Sequence, residues 1–261
     1  MFIPLFNKSN YSLLSSLLKI DDIINYAKTN NISSISLTDT NMYGVMEFIK
    51  KCQANEIKPI IGLNVLLNDY NIILLAKNYD GYKSLIKLST IQNEKQVTET
   101  EILEHNNELI CLLPFKYNER YTDLTKIYSD IYLGYENKKE ELEALVITKN
   151  VIFLREALYL TKADSKFLPY LYRIRDGKTI SEEINYDIEN HELSIDNILD
   201  LTDNQGLVNT LKVADACNLE FPPSENLLPI YECDNPTTYL FELCKVGLTK
   251  RCQGNIPPEY K

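Results

Sequence analysis

The stretch that decides the fold runs over residues 58–76 and reads KPIIGLNVLLNDYNIILLA. Its last five residues, 72–76 (IILLA), form a continuous apolar run, which is the pattern of a strand buried on both faces of a parallel sheet. Residues 58–62 (KPIIG) and 63–67 (LNVLL) are two further strand candidates that meet near a glycine. The stretch therefore predicts a sheet whose strands lie in the interior of the protein.

Strand-like and helix-like segments alternate on both sides of this stretch over about the first 150 residues. The other strand candidates are residues 2–6, 32–38, 109–113, 131–135 and 144–148. Helix candidates begin at Asp21 and cover residues 41–54 and 81–91, where apolar residues recur at helical spacing. Repeated βα units with apolar strands favour a parallel α/β sheet, and a count of about seven units favours a closed barrel over a doubly wound sheet.

The chain changes character after Val151, where helices replace the alternation. The helix candidates there are residues 164–174, 194–201, 204–218 and 237–252. Residues 220–229 (EFPPSENLLP) hold three prolines and are the best linker candidate. We therefore expect a barrel domain with C-terminal helices over residues 1–220, and a linker with the start of another domain over residues 221–261. The chain is then expected to be a piece of a longer protein.

Composition excludes several classes of function. The chain has 37 acidic and 27 basic residues and a formal net charge of −10, which disfavours general binding to the phosphate backbone of nucleic acid. Two histidines, His105 and His191, lie far apart in the sequence and exclude a metal site built on clustered imidazoles. The six cysteines form no CxxC pair. No apolar run approaches the roughly 20 residues of a membrane span, and no signal peptide opens the chain, so we expect a cytoplasmic protein without a membrane partner.

Few single residues carry a chemical signal. Asp39 follows the strand candidate 32–38, at the end where α/β barrels place their sites. On sequence grounds it is a ligand, a cap or a solvated turn residue. His105 and His191 lie in polar stretches and are interpreted as surface loop residues. Adjacent carboxylates are interpreted as solvated: Glu140, Glu141, Glu182 and Glu183.

An ordered series of short motifs resembles the start of bacterial DNA polymerase III alpha subunits. The motifs are YSLL (11–14), LTD (37–39), NMYG (41–44), KPIIG (58–62), LAKN (75–78), GY (81–82), RDGK (175–178), NT (209–210), LP (228–229) and GL (247–248). Their order and spacing agree along nearly the whole chain, and the variant is most similar to that of low-GC Gram-positive bacteria. The region resembles the N-terminal polymerase-and-histidinol-phosphatase (PHP) domain, which is a distorted βα barrel in that family.

The resemblance also assigns nine positions to metal ligands, because active members of the wider family bind metal ions with His, Asp, Glu and Cys at the mouth of the barrel. In this chain the nine positions are Phe6, Lys8, Ser15, Thr40, Asn64, Asn71, Phe115, Asn150 and Ile152. Transition metals need imidazole, thiolate or carboxylate ligands, and Phe and Ile side chains coordinate nothing. Lys8 would place a positive charge where metal ions should bind. The resemblance thus implies a degenerate site with no catalytic, metal-binding or cofactor-binding residue, in which Phe6, Thr40 and Ile152 lie close together at the mouth.

The resemblance implies a catalytically silent domain of a replicative DNA polymerase, a nucleotidyltransferase. The parent enzyme would hold Mg²⁺ on acidic residues of its palm, which lie outside these 261 positions. This domain would support the polymerase core of the same chain, is a possible docking place for other replisome proteins, and would meet primer-template DNA only through the parent. Two alternatives stay open: a residual metal-dependent phosphoesterase or exonuclease with a rearranged site, and a free-standing interaction protein of the same fold.

Overall fold

The computed structural model describes residues 2–182, 184–193, 205–223 and 231–260. The chain divides into two compact units, Met1–Phe221 and Pro222–Lys261. The helix predicted over residues 194–201 and most of the linker predicted over 220–229 lie outside the described residues. The assignment of residues 221–261 to a linker and the start of a polymerase core stays a prediction.

The first unit is built on one six-stranded sheet. Its strands are β1 (Ser34–Leu37), β2 (Lys58–Leu67), β3 (Tyr70–Ala76), β4 (Leu109–Leu113), β5 (Ile131–Tyr135) and β6 (Val151–Phe153). They lie side by side in chain order. The pairs β1–β2, β4–β5 and β5–β6 are parallel, whereas β3 runs antiparallel to both of its neighbours. The expected α/β class is confirmed, with six strands in the described residues in place of seven units.

The direction of β3 corrects the expectation of a wholly parallel sheet. Only Asn68 and Asp69 separate β2 from β3, and Asn68 has a φ of 54°. Such a short connection makes a hairpin, because a parallel crossover needs about a dozen residues or more. Residues 72–76 are nevertheless all buried, which explains their continuous apolar run. The two candidates 58–62 and 63–67 form the single strand β2, and Gly62 allows close approach, since a Cβ there would lie 2.8 Å from the Leu74 carbonyl oxygen.

The two edges of the sheet are joined at one end by residues 6–8, so that the sheet curls into a half-barrel. The carbonyl oxygen of Asn7 accepts a hydrogen bond from the Thr38 amide, just beyond β1, at 2.9 Å. On the other side the Lys8 amide donates to the Ala157 carbonyl at 3.1 Å, and the Ala157 amide donates to the Phe6 carbonyl at 2.8 Å. The strand predicted over residues 2–6 is wrong, because none of these residues is in a strand and the nearest bridge joins Asn7 to Ala157.

Helices cover the curled sheet. In the first unit they are α1 (Ile20–Thr29), α2 (Val45–Ala54), α3 (Tyr79–Glu94), α4 (Glu99–Glu104), α5 (Tyr121–Leu124), α6 (Lys138–Ile147), α7 (Leu168–Arg175) and α8 (Gln205–Ala216). Three 3₁₀ helices complete the described elements: Phe115–Arg120, Lys162–Phe167 and Pro258–Tyr260. The helices α1 and α2 turn buried apolar faces inward, as their spacing predicts. On the other side α8 packs on β6, and the Asn209 side-chain amide donates to the Val151 carbonyl at 2.7 Å.

The strand predicted over residues 144–148 is wrong, because these residues mostly belong to α6. That helix begins after Asn137, whose side chain accepts a hydrogen bond from the Glu140 amide. Ala144 faces the sheet and is buried, whereas Val146 is 87% exposed. The apolar run is thus the end of a helix, and the true last strand β6 follows it. Short apolar runs do not distinguish a strand from a helix end by periodicity alone.

The second unit is centred on α9 (Pro236–Arg251). The Asn235 side chain caps the helix by accepting a hydrogen bond from the Thr238 amide at 3.0 Å. None of the residues of α9 is buried, and several large apolar side chains are exposed: Tyr239, Leu240, Phe241, Leu243 and Val246. Among the described residues, no helix combines the length and the apolar character needed to cross a membrane.

Candidate functional site

A cleft of about 590 Å³ opens at the carboxyl ends of β4, β5 and β6. Six of the nine positions assigned to degenerate metal ligands line it: Phe6, Lys8, Ser15, Asn64, Asn71 and Phe115. These residues come from segments spread over more than one hundred positions of the chain, and the curled sheet brings them to one place. Six of the positions that the resemblance assigns are therefore neighbours in one cleft, and their descent from metal ligands stays a prediction.

The other three positions lie elsewhere. Thr40 does not line the cleft, and its carbonyl oxygen accepts a hydrogen bond from the Gln92 side-chain amide at 2.8 Å. Ile152 is fully buried within β6, and Asn150 is exposed just before the amino end of that strand. Of the predicted group Phe6, Thr40 and Ile152, only Phe6 lines the cleft, and their closeness at the mouth stays a prediction.

Asn150 and Ile152 directly follow residues 144–148, which mostly belong to helix α6 and not to a strand. When residues 144–148 are taken as the last strand, its carboxyl end falls near Asn150 and Ile152. In the structure the last strand is β6, and the residues that follow it into the cleft are Glu156 and Leu158. Glu156 is consequently a cleft residue that the sequence reasoning missed.

Lys8 and Glu156 form an ion pair inside the cleft. The Lys8 Nζ lies 2.5 Å from a carboxylate oxygen of Glu156, and the two side chains are only 12% and 22% exposed. The same ammonium lies 5.5 Å from the centre of the Phe6 ring, in a cation–π arrangement. Burial of Glu156 tends to raise its pKa, but the charge and hydrogen bond of Lys8 outweigh burial and leave the pKa below its ordinary value. The cleft thus carries a cation supplied by the chain itself.

His191 also faces the cleft, which corrects its interpretation as a surface loop residue. Its side chain is 13% exposed, and its Nδ1 lies 3.1 Å from the Glu156 carbonyl oxygen. The His191 carbonyl accepts a hydrogen bond from the Leu158 amide at 2.8 Å, which fixes this segment beside the end of the sheet. Nothing in the local sequence signals this position, because Glu156 and Leu158, which hold His191 beside the sheet, lie more than thirty positions away.

Glu136 has the most perturbed carboxyl group of the cleft. The enclosing walls raise its pKa to about 7, and the negative charges of Glu140 and Glu156 add to the rise. The side chain is nevertheless accessible to solvent within the cleft, so water screens part of the effect. Glu136 therefore shares the cleft with the carboxylates of Glu140 and Glu156, while the positive charges of Arg155 and Lys116 offset part of the rise in its pKa.

We expect the wild type to lose stability as the pH rises above about 5, and we expect Glu136→Gln to lack this loss. A carboxyl whose folded pKa is raised from 4.5 to about 7 binds more protons in the folded state, so stability falls as pH rises through that window. Urea unfolding at pH 5 and pH 8 measures the effect. With screening by solvent taken into account, the free energy of unfolding of the wild type should fall by about 1 kcal/mol more than that of the variant between pH 5 and pH 8. Glu94→Gln, on an exposed side chain of α3, is the control; an equal change in both variants would contradict the assignment.

Asp39 lies beside the cleft but is not open to it. The side chain is 1% exposed, and its carboxylate accepts hydrogen bonds from the Ser9 amide at 2.7 Å, the Ser9 hydroxyl at 2.6 Å and the Ser12 hydroxyl at 2.6 Å. Burial raises the pKa of Asp39 in spite of these hydrogen bonds. Of the three alternatives left by the sequence, the solvated turn residue is wrong. The contacts make Asp39 an anchor that holds residues 9–12 to the end of β1.

Asn64 is a buried amide in the wall of the cleft. It is 3% exposed, and its side-chain oxygen has no hydrogen-bond partner among the described residues. Its backbone amide donates to the Asp39 carbonyl at 2.9 Å, and its own carbonyl accepts from Gln92 at 3.1 Å. These backbone contacts fix Asn64 between β1 and α3.

Comparison with known proteins decides the family. Residues 5–161 match the family model described as the PHP domain. The chain belongs to the PHP domain family. It is 29% identical to the DNA polymerase III subunit alpha of Staphylococcus aureus strain Mu50 over 92% of this chain, and 31% identical to that of Ureaplasma parvum over 98%.

This PHP chain spans 23% and 25% of the length of those two relatives. It is homologous to the N-terminal region of such subunits in low-GC Gram-positive bacteria, as the motifs predict. A solved amidohydrolase from Chromobacterium violaceum is also similar over 60% of this chain and 87% of that one, at 7% identity and a TM-score of 0.42.

The side chains of the PHP cleft do not fit a cluster of metal ions. In the part of the chain that the structure describes, no group of three or more His, Cys, Asp or Glu residues is arranged to hold a metal ion. Glu156 is engaged by Lys8, and a second cation close to that ammonium would be repelled. Phe6 and Phe115 offer no donor atoms to the cleft. Whether the protein carries a metal stays a prediction.

Proposed function

We propose that this chain is a catalytically silent, architectural domain of a replicative DNA polymerase. The observation that carries the proposal is the ion pair between Lys8 and Glu156 in the cleft. In a metal-dependent enzyme, divalent cations would balance the negative charge of such carboxylates. Here the Lys8 ammonium balances it instead, and an ammonium has no open coordination position for water or substrate. Hydrolysis assisted by metal ions needs such a position for water or substrate.

The second unit supports an architectural role. Its helix α9 exposes apolar side chains on several sides, and Leu240, Phe241 and Val246 are each more than 60% exposed. Apolar surface of this kind marks a site of protein contact. In the curated relatives, about three quarters of the protein lies outside the matched region. We therefore propose that α9 packs on the polymerase core of a longer chain.

The rest of the proposal concerns that parent protein. It would extend primers on template DNA, with Mg²⁺ held by acidic residues of its palm. The present chain would meet primer-template DNA through the parent, since its net charge of −10 disfavours independent binding. Other replisome proteins are candidate partners, and a replicative role implies a cytoplasmic location.

A residual phosphoesterase is the second candidate, because one observation favours it. Glu136 has a pKa of about 7, which is close to the value expected of a general base at neutral pH, and His191 lies in the same cleft. The charges of Glu140 and Glu156 account for part of this pKa without any catalytic role. Measurement has to separate the two functions.

Metal content and hydrolysis together test catalytic silence. We expect the purified 261-residue chain, loaded with Mn²⁺ and then desalted, to retain well under one ion per chain by mass spectrometry of the metal. It should release no phosphate or nucleotide from a phosphomonoester or a single-stranded oligonucleotide above the rate of a blank. The proposal is wrong if the chain hydrolyses either substrate and the activity disappears in Glu136→Gln or Glu156→Gln but survives in the control Glu94→Gln.

A further inference from the structure

A second pocket lies at the opposite end of the sheet from the cleft. It has a volume of about 400 Å³ and is bordered by β5, by the end of α6 and by one face of α8. Tyr132 is the second residue of β5, and Asn150 immediately precedes β6, so the pocket is at the amino ends of these strands. Of the nine positions that the resemblance assigns to metal ligands, only Asn150 contributes to this pocket.

The pocket is positively charged in a chain of net charge −10. Lys149 and Lys212 line it, and none of the carboxylates in the described part of the chain does. Neither lysine forms an ion pair with another described residue. Gln205, which also lines the pocket, is the first described residue of helix α8. Two ammonium groups at one recess, without an ion pair to any described carboxylate, favour an anionic ligand with more than one negative charge.

Amide side chains form the floor of the pocket in a fixed arrangement. Asn209 is 5% exposed and donates to the Val151 carbonyl at 2.7 Å. Its side-chain oxygen accepts a hydrogen bond from Gln205 Nε2 at 3.0 Å, which holds Gln205 in place. Gln205 and the exposed Asn150 then present amide groups to the pocket that both donate and accept. Such groups suit the donor and acceptor edge of a nucleobase.

An apolar wall completes the pocket. The half-buried ring of Tyr132 and the side chain of Leu145 both line it. A tyrosine ring offers a flat surface on which a base can stack, and stacking of this kind tolerates any base. A volume of about 400 Å³ is within the range of small-molecule sites.

We propose that this pocket binds a nucleoside polyphosphate. Its phosphates contact Lys149 and Lys212 at the rim, and its base lies against Tyr132 and Leu145 within reach of the amides. The two lysines attract the negative charges of the phosphates. The wall formed by Tyr132 and Leu145 contacts the base, so it distinguishes a nucleotide from an inorganic phosphate chain. The site is separate from the cleft, so it does not depend on whether the cleft is silent.

Isothermal titration of the 261-residue chain with ATP, inorganic tripolyphosphate and adenosine tests the proposal. We expect ATP to bind with a Kd on the order of 0.1 mM, tripolyphosphate about threefold or more weakly than ATP, and adenosine at least about tenfold more weakly. Lys149→Gln and Lys212→Gln should each weaken ATP binding about three- to tenfold. Lys87→Gln changes the same charge on an exposed residue of α3 and should leave the Kd within about twofold.

Several outcomes would overturn the site. If Lys87→Gln loses as much affinity for ATP as the pocket variants, net charge alone attracts the ligand. If tripolyphosphate binds as tightly as ATP, the pocket does not recognise the base. Binding of a single-stranded oligonucleotide through the same lysines, without binding of ATP, would assign the pocket to a nucleic-acid strand. Because Lys149 and Lys212 are exposed, thermal melting should confirm that both variants fold as the wild type does.

Discussion

Replacement of Asp39 by alanine should lower the melting temperature of the chain by about 10 °C. Asp39 is 1% exposed and accepts hydrogen bonds from the Ser9 amide and from the hydroxyls of Ser9 and Ser12. Alanine leaves these donors facing a small void, and the two hydroxyls can rotate to other acceptors but the Ser9 amide cannot. Hydrogen bonds to a charged group contribute about 1.5–3 kcal/mol each. Because the two hydroxyls find other acceptors and the buried carboxylate no longer has to be desolvated, we expect a total loss of about 3–4 kcal/mol, less than the sum of three such bonds. For a protein of this size each kcal/mol shifts the melting temperature by about 2–4 °C.

Two matched substitutions separate the anchoring role of Asp39 from a general effect of charge. Asp39→Asn keeps one oxygen acceptor and removes the buried charge that burial disfavours, so it should lose only about 1–2 kcal/mol. Asp69→Ala removes a carboxylate that is 78% exposed in the turn after β2, and it should change stability by less than about 0.5 kcal/mol. Differential scanning calorimetry of the three variants measures the order. A melting temperature of Asp39→Ala within about 2 °C of the wild type would show that residues 9–12 do not depend on this carboxylate.

The sequence predicts the strands whose signal is local. Residues 109–113 and 131–135 are short apolar runs bounded by polar stretches, and they correspond to β4 and β5 residue for residue. The spacing of apolar residues in α2 and α3 is likewise local, and both helices occur within a few residues of their predicted bounds. Burial of one face of a helix, or both faces of a strand, determines these patterns directly.

The apolar pattern predicts neither the direction of a strand nor which strand is the last of the sheet, because both depend on the loops and helices that connect the strands. A strand buried on both faces has the same composition in either direction, so residues 72–76 gave no sign that β3 is antiparallel. The hairpin turn at Asn68 and Asp69 was the available signal. At the end of the sheet, α6 finishes in an apolar run whose composition also suits a strand, so the sequence did not show that β6 is the last strand.

The cleft shows the same limit at the level of single residues. Six ligand positions could be placed by resemblance, because they follow motifs whose order is preserved. Lys8 was expected to carry charge into the site, but its partner Glu156 could not be paired with it from the sequence, since 148 positions separate them (156 − 8). His191 is placed by contacts with residues 156 and 158, which form only when the chain returns along the end of the sheet. The charged groups of this cleft come from residues that are distant in the chain. The spacing of apolar residues in one sequence does not predict which distant residues become neighbours.

Deletion of residues 1–220 from the full-length polymerase to which we assign this chain should abolish most primer extension. A docked domain of this size typically shares an interface of roughly 600–1,500 Å² with its neighbour. If about 500 Å² of that surface is apolar, exposing it costs on the order of 12 kcal/mol at about 25 cal/mol per Å². This gross cost is comparable with a typical total stability of about 5–15 kcal/mol, so the remaining core should melt at a lower temperature and aggregate.

Point variants in the same full-length protein distinguish an architectural role from a chemical one. Asn64→Ala removes a buried amide whose oxygen has no described partner, so primer extension should stay within about twofold of the wild type. Asp39→Ala should extend primers normally well below its reduced melting temperature and fail above it, because it acts through the fold of the domain. Primer extension measured at several temperatures beside thermal melting makes the comparison. If the deletion extends and melts like the intact enzyme, the domain does not support the core. If Asp39→Ala or Asn64→Ala abolishes extension at a temperature where the protein remains folded, the end of the sheet takes part in the chemistry, and the architectural proposal fails.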